Sequence, residues 1–234
     1  MGNETVTYKV CEMIDEAPSV KTIKLVISNG ALPNYEPGQF ITVYFPDAHT
    51  DEGKGYSISS APSEPTLNIT VKAIGEFSRR LCNLQPGDTL TGSKPYGFFF
   101  SESADSPLVM IAAGIGIAPF RSMITGALST NVQRPIHLFY SNQTTDNMVF
   151  AQELNGLSHV HNQFVVHHFI TRQQDLPEGV MAHRITAQDI ISQIESLSIA
   201  EFLVCGSIAF VRDMWRGLIA AGVDETMVYT ESFY

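Results

Sequence analysis

The feature that most restricts this chain lies near its middle. Leu108–Ala112 is an unbroken apolar run, and Ala113-Gly114-Ile115-Gly116-Ile117-Ala118-Pro119-Phe120 follows it without a spacer. A strand with no polar alternation is buried on both faces, the condition of a parallel sheet covered by helices. Gly114 and Gly116 let the backbone turn tightly and let a ligand come close. Pro119 suits the first turn of a helix, where its missing N–H costs nothing. A strand that passes through a Gly-rich turn into a helix offers backbone donors and a positive dipole end to a phosphate. The segment departs from Gly-x-Gly-x-x-Gly in having Pro119 at the third glycine. By itself it also fits a Gly-rich turn in any α/β protein.

The chain reads differently on the two sides of this motif. From Val6 to about Phe100, short β-rich runs predict strands over Val6–Met13, Val20–Ser28, Phe40–Phe45, Gly55–Ser60, Leu67–Ala73 and Thr89–Ser93. Pro33-Asn34, Pro37-Gly38, Pro46-Asp47, Pro62-Ser63 and Pro86-Gly87-Asp88 punctuate them as turns. Six short strands at this spacing predict a small antiparallel barrel. Ser78–Leu84, opened by a serine, predicts one short helix. After Ser101–Ser106, a polar linker candidate, apolar runs recur at Ile136–Tyr140, Phe164–Ile170 and Phe202–Cys205. Helical patterns over Pro119–Leu128, Met148–Leu154, Ala187–Leu197 and Ile208–Ala221 separate them, so βαβ units and a parallel sheet are expected. The fold class is therefore two-domain: a six-stranded antiparallel β-barrel over residues 1–101, then an α/β parallel-sheet nucleotide-binding domain over 102–234.

Composition narrows the function. With 44% hydrophobic residues, including 14 Phe and 8 Tyr, the 234-residue chain has ample material for a core. The longest stretch free of charged residues and histidine, Ser106–Phe120, is interrupted by Gly and Pro and is short of the ~20 residues of a membrane span. The N-terminus lacks the pattern of a signal peptide, and a cytoplasmic location is expected. Three scattered cysteines, Cys11, Cys82 and Cys205, suit neither a disulfide framework nor an iron–sulfur site. A net charge of −10 disfavours nucleic acid and acidic membrane surfaces. His159-x-His161 and His167-His168 lack acidic or cysteine ligands at local spacing, and adjacent histidines on a strand face opposite ways. No metal site is expected, and no Gly-x-Ser-x-Gly hydrolase signature is present. Phe98–Phe100 reads as packing.

Further motifs fall in a consistent order. Pro37-Gly38-Gln39-Phe40 precedes a predicted strand, Lys54-Gly55-Tyr56-Ser57 opens another, Gly75-Glu76-Phe77-Ser78 leads into the short helix, and Lys94-Pro95-Tyr96-Gly97 ends the first half. In the second half, Cys205-Gly206-Ser207 follows the last apolar run and Glu231-Ser232-Phe233 lies near the C-terminus. Together with Gly114–Pro119, these motifs resemble the ferredoxin–NADP reductase superfamily, in the form without a fused iron–sulfur domain. Lys54 stands where that family's Arg-x-Tyr-Ser has Arg, and Ser207 where its Cys-Gly-Pro has Pro.

The resemblance implies an FAD-dependent oxidoreductase that takes a hydride from NAD(P)H to flavin N5 and passes electrons to a separate acceptor. Flavin is the needed intermediary, because nicotinamide gives two electrons together while metal carriers take one at a time. The implied catalytic residues are Ser57, within reach of flavin N5, Cys205, near the nicotinamide, and Glu231, near the flavin edge. Glu231 also reads as a solvated C-terminal carboxylate, and Tyr56 also reads as a barrel-core tyrosine. Lys54 would neutralise the flavin pyrophosphate as a point charge. Tyr56 would lie against the isoalloxazine, and Gly55, Val71 and Lys72 would be further cofactor-binding residues. Gly75, Phe77 and Ser78 would hold its phosphate, and Phe233 or Tyr234 would cover the ring. The nicotinamide nucleotide falls to Gly114, Ile115, Gly116, Pro119, Cys205 and Gly206. Arg172 and Arg184 are candidates for a 2′-phosphate, but Ser141-Asn142-Gln143 follows the second strand where phosphate binders place Arg, so NADH is favoured. The expected partner is a ferredoxin- or flavodoxin-type carrier or a downstream redox enzyme, docked on Lys54, Lys72, Arg79, Arg80 and Lys94. Two other readings stay open: a reductase of free flavin, and a flavin-bearing subunit of a larger complex.

Overall fold

The computed structural model describes residues 5–27, 30–45, 53–130 and 133–233. The chain divides into two compact units. The first holds the residues up to Phe98 together with Ala118–Gly126, and the second holds Phe99–Ile117 and the residues from Ala127 onward.

In the first unit, six strands, β1 (Thr5–Ala17), β2 (Val20–Ile27), β3 (Phe40–Tyr44), β4 (Lys54–Ser57), β5 (Leu67–Lys72) and β6 (Thr89–Ser93), form one antiparallel sheet in the order β4-β3-β6-β1-β2-β5. An antiparallel bridge from Ile58 to Ile69 joins its two edges, as the expected barrel requires. Alternate residues point inward, so Tyr8, Val10, Ile23, Leu25, Ile41, Val43, Leu67 and Ile69 fill the interior. β1 runs four residues past the predicted end at Met13. Its pairing with β2 continues through Ala17–Val20, with the cross-strand pair Lys21–Asp15 in the extension and Lys24–Glu12 just before it. Apolar alternation stops there, but ladder hydrogen bonds and charge pairing do not.

The short helix α1 (Glu76–Cys82) begins two residues earlier than predicted. Ser78 is its third residue, not its cap: the Ile74 and Gly75 N–H groups both donate to its Oγ at 3.0 Å. Phe77, Leu81 and Cys82 face the barrel interior.

In the second unit, β7 (Leu108–Ala113), β8 (Ile136–Asn142), β9 (Phe164–Ile170), β10 (Glu201–Gly206) and β11 (Val228–Ser232) form a parallel sheet in the order β11-β10-β7-β8-β9. Its helices are α3 (Ala151–Val160), α4 (Ala187–Ile191) and α5 (Ile208–Ala220), whereas α2 (Ile117–Ser129) has Ala118–Gly126, most of its length, in the first unit. The edge strand β11 is not among the predicted elements. Its half-exposed residues show no apolar run, and only pairing with β10 makes it a strand. α3 starts late because Phe150 holds φ at +61°, while the Val149 N–H donates to the buried Tyr140 hydroxyl at 3.1 Å. α4 closes after five residues, capped by Thr186 and Asp189 at its start.

Two expectations fail here. Ser101–Ser106 is not a free linker: Ser101 and Ser103 bond to Glu201 and Arg134, and Glu201 is 3% exposed at the foot of β10. A buried carboxylate needs those partners. Phe98–Phe100 does not pack as a block, since Phe99 is buried while Phe98 is 89% exposed. No helix among the described residues is long and apolar enough to cross a membrane.

Candidate functional site

In the first unit, the Lys54–Ser57 motif is the whole of β4, paired with β3 through Phe40–Ser57 and Ile41–Tyr56. Gly55 is tight because a Cβ there would meet the Phe40 ring at 3.3 Å. Tyr56 is half-buried against the barrel core, its ring 6.3 Å from Phe77 and 20° from parallel, and Phe77 packs on Phe45 at 4.7 Å. Lys54 Nζ lies 5.9 Å from the Phe77 centroid, and the Arg80 guanidinium lies 3.9 Å from that of Phe45. The structure thus gathers Lys54, Tyr56, Phe77 and Arg80 into one aromatic and cationic cluster; the sequence marks Arg80 only as a docking cation. Val71 is buried in the barrel core, and Lys72 is exposed at the end of β5. Arg79 is held to the Ile74 carbonyl at 3.0 Å.

Ser57 is the most informative residue of this group. It is 4% exposed, and its Oγ is buried with no hydrogen-bond partner. A buried hydroxyl left unpaired costs about 1–3 kcal/mol, which sets Ser57 apart from Ser59 and Ser60, whose hydroxyls are paired.

In the second unit, the strand order reverses direction at β7, which has β8 on one side and β10 on the other. Ligands of such sheets bind in the crevice beyond the C-terminal ends of the two strands at that point. Here those ends are Gly114–Gly116, a 3₁₀ turn running into α2, and Cys205-Gly206-Ser207. The two glycines of the turn do different work. Gly114 has φ +54° and open space around it, so it supplies the left-handed turn and leaves room for a ligand. A Cβ on Gly116 would come within 2.3 Å of the Cys205 carbonyl oxygen, so this glycine lets β10 and the turn pack together. Ile115 is half-buried between them, and Pro119 lies in the first turn of α2. Ser207, which stands where the family it resembles has proline, caps α5 by accepting the Phe210 N–H at 3.3 Å.

Cys205 and Glu231 are register partners on β10 and β11. Cys205 is fully buried, and burial, with the nearby Glu231 carboxylate, pushes its thiol well above the usual range, so it remains a thiol. Glu231 is not a solvated terminal carboxylate. Its Oε2 is buried without a partner, and burial raises its pKa to about 7. Next to it the Phe233 N–H donates to the Gly206 carbonyl at 2.8 Å, while Tyr234 lies outside the described residues.

The arginine candidates do not stand together as open anion ligands. Arg184 pairs with Asp213 at 3.2 Å, and Arg172 is exposed, its N–H bound to the Gln143 carbonyl at 2.8 Å. Among the described residues, no group of three or more His, Cys, Asp or Glu could hold a metal ion. His167 and His168 face opposite sides of β9, as expected: His167 lies on Phe139, and His168 Nε2 bonds to Asn155 at 2.8 Å. Burial keeps both neutral, with His167 lowered to about 4.

Residues 110–216 match the family model described as an oxidoreductase NAD-binding domain. The FAD/NAD-binding domain of nitric oxide dioxygenase from Vibrio cholerae O1 biovar El Tor superposes with a TM-score of 0.85 at 25% identity, covering 97% of this chain and 98% of that one. Residues 110–216 thus form an oxidoreductase NAD-binding domain, and the whole chain is similar in fold to ferredoxin–NADP reductase-like proteins. A ferredoxin NADP+ reductase from Neisseria gonorrhoeae shares the fold at a TM-score of 0.82 and 23% identity over 98% of this chain and 99% of that one. The ferredoxin reductase component of 3-ketosteroid-9-alpha-monooxygenase from Mycolicibacterium smegmatis is 27% identical over the whole chain and 67% of its own length. A flavohemoprotein from Chromobacterium violaceum is 29% identical over 97% of this chain and 60% of its own. The chain therefore spans about three fifths to two thirds of the length of these curated relatives.

Proposed function

We propose that the chain is an FAD-dependent oxidoreductase that takes a hydride from NAD(P)H and delivers electrons to a separate redox partner. The observation that carries the reading is the buried, unpartnered Ser57 hydroxyl at the end of the Lys54–Ser57 strand, beside the Tyr56 and Phe77 rings. A flat heteroaromatic ring with a polar edge answers both features, as a purely apolar ligand does not. The similarity to an oxidoreductase NAD-binding domain and to an FAD/NAD-binding domain supports the same choice.

The residues present fit a flavin. Residues 1–101 would form its domain and 102–234 that of the nicotinamide nucleotide. Tyr56 would lie against the ring, Ser57 would hydrogen-bond at N5, and Lys54, with the backbone donors after Gly75, would face the phosphates. Ser78 acts through the backbone there, since its hydroxyl already ties down Ile74 and Gly75. When bound, flavin supplies acceptance of a hydride and its release as single electrons. The protein orients the nicotinamide with Gly114, Gly206 and the Cys205 thiol. Glu231 holds a proton at its carboxyl up to about pH 7. Phe233 would cover the ring. NADH is the favoured donor, because Gln143 follows β8 where a phosphate binder needs Arg, and Arg184 is already paired.

The acceptor would be a small carrier of ferredoxin or flavodoxin type or a downstream oxygenase. The relative that is a ferredoxin reductase component supports an electron-transfer partner. The test is the visible spectrum of the purified protein under anaerobic conditions, before and after each nucleotide. A flavin band bleached faster by NADH is expected. A colourless protein that reduces added free flavin would refute the bound-flavin reading, and a yellow protein bleached by neither nucleotide would refute the donor.

A further inference from the structure

The corner that closes the barrel carries an unusual density of buried polar groups. Ser57 pairs with Phe40 of β3, but the next residues change partner: Ile58 bridges Ile69, and the Ser59 N–H donates to the Asn68 carbonyl at 2.8 Å. Ser57 thus sits where the chain crosses from one sheet edge to the other. Two consecutive side chains of α2 grip the two residues after Ile58. Arg121 Nη1 donates to the Ser59 carbonyl at 2.7 Å, and Ser122 Oγ donates to the Ser60 carbonyl at 2.5 Å. The same Arg121 nitrogen reaches Glu64 Oε1 at 2.9 Å, and that oxygen also accepts the Ala61 N–H at 2.8 Å. Ser60 Oγ bonds the Tyr35 hydroxyl at 2.8 Å and the Asn68 N–H at 2.9 Å. Ser59, Ser60 and Ser122 are fully buried, and the Arg121 and Glu64 side chains are 14% and 27% exposed.

Closing a barrel needs none of this, since well-packed apolar residues replace a buried ion pair at little or no cost in stability. What a satisfied polar network adds is a single defined geometry. The residue that gains from it is Ser57, whose neighbours are fixed while its own hydroxyl is left without a partner. An arginine suits the task because its rigid fork can hold a carbonyl and a carboxylate together.

We infer that Arg121, braced by Glu64, is a positioning residue that fixes the closure corner and so the aim of the Ser57 hydroxyl. The inference rests on the reading of Ser57 as the group beside flavin N5.

Two measurements test it. In the flavin-free protein, amide exchange at Ile58 and Ser59 is expected to quicken about tenfold in Arg121→Met, because the corner opens locally; unchanged protection would overturn the inference. In the flavin-loaded protein, the limiting rate of reduction by NADH is expected to fall about tenfold or more, with flavin retained and nucleotide Kd within about twofold. Arg121→Lys recovers part of the rate, as an ammonium still donates to Ser59 or Glu64. The double variant Ser57→Ala/Arg121→Met should be no slower than Ser57→Ala, since nothing is left to position. Two slowings that multiply would overturn the inference. If Arg121→Met does not fold, Glu64→Gln and Arg121→Lys carry the test, and wild-type rates in both would overturn it. Wild-type bleaching with an unchanged variant refutes the positioning role alone, whereas absence of bleaching in the wild type refutes the proposed function and this inference with it.

Discussion

Replacing Glu231 with a glutamine should remove a specific component of the protein's pH dependence. The carboxyl is half-buried with Oε2 unpartnered, and burial lifts its pKa from the ordinary 4.5 to about 7. At roughly 1.36 kcal/mol per pH unit, a shift of that size corresponds to about 3 kcal/mol. The sign follows from which state holds the proton. Between pH 4.5 and about 7, the folded protein keeps a proton that the unfolded chain has released. The contribution is therefore complete below the unfolded value, is lost as pH rises through the folded one, and is flat above it. A glutamine side chain cannot ionise, so the variant escapes the loss. Urea unfolding of both flavin-free proteins at about pH 4.5 and about pH 8 should show the stability difference moving by up to about 3 kcal/mol in favour of Glu231→Gln. The buried histidines add a pH dependence of their own, but they are common to both proteins and cancel in the difference. Parallel pH profiles would refute the reasoning and return Glu231 to an ordinary solvated carboxylate.

Ser57→Ala should retain flavin yet slow its reduction by nicotinamide, and equal rates in stopped flow would remove Ser57 from the chemistry. The two turn glycines should separate in thermal unfolding. Gly116→Ala drives a Cβ into the Cys205 carbonyl and should cost about 1–3 kcal/mol or more, while Gly114→Ala has space but a left-handed backbone and should cost about 1–2 kcal/mol. Equal losses would contradict the packing described for Gly116. Replacing Arg172 and Arg184 together with Ala should leave turnover with NADH largely intact, and a selective collapse with NADPH would show these arginines reading a 2′-phosphate.

Much of this molecule is legible in its residue order. The alternation of Tyr8, Val10, Ile23 and Leu25 announces barrel walls, and the unbroken Leu108–Ala112 run announces a strand covered on both faces. Both are statements about period and burial, which side-chain polarity encodes locally. The motifs around Ser57, Gly114 and Cys205 are local too, because a tight turn or a strand end needs particular residues within a few positions. What escapes is whatever depends on a distant partner. β11 is a strand only because β10 offers it a ladder, Ser101 is anchored only because Glu201 is buried beside it, and β1 runs on because β2 pairs with its charged end.

The candidate site divides along the same line. The sequence by itself determined which residues could serve: a serine after an aromatic on a strand, glycines between a strand and a helix, and a carboxylate near the C-terminus. Only the tertiary structure decided what state each is in. Ser57 lacks a partner because the barrel buries its hydroxyl, and Glu231 holds its proton because the sheet takes it out of water. Gly116 is obligatory because the end of β10 lies against it. Solvation, protonation and steric room belong to the surroundings of a side chain, and those surroundings are assembled from residues far apart in the chain.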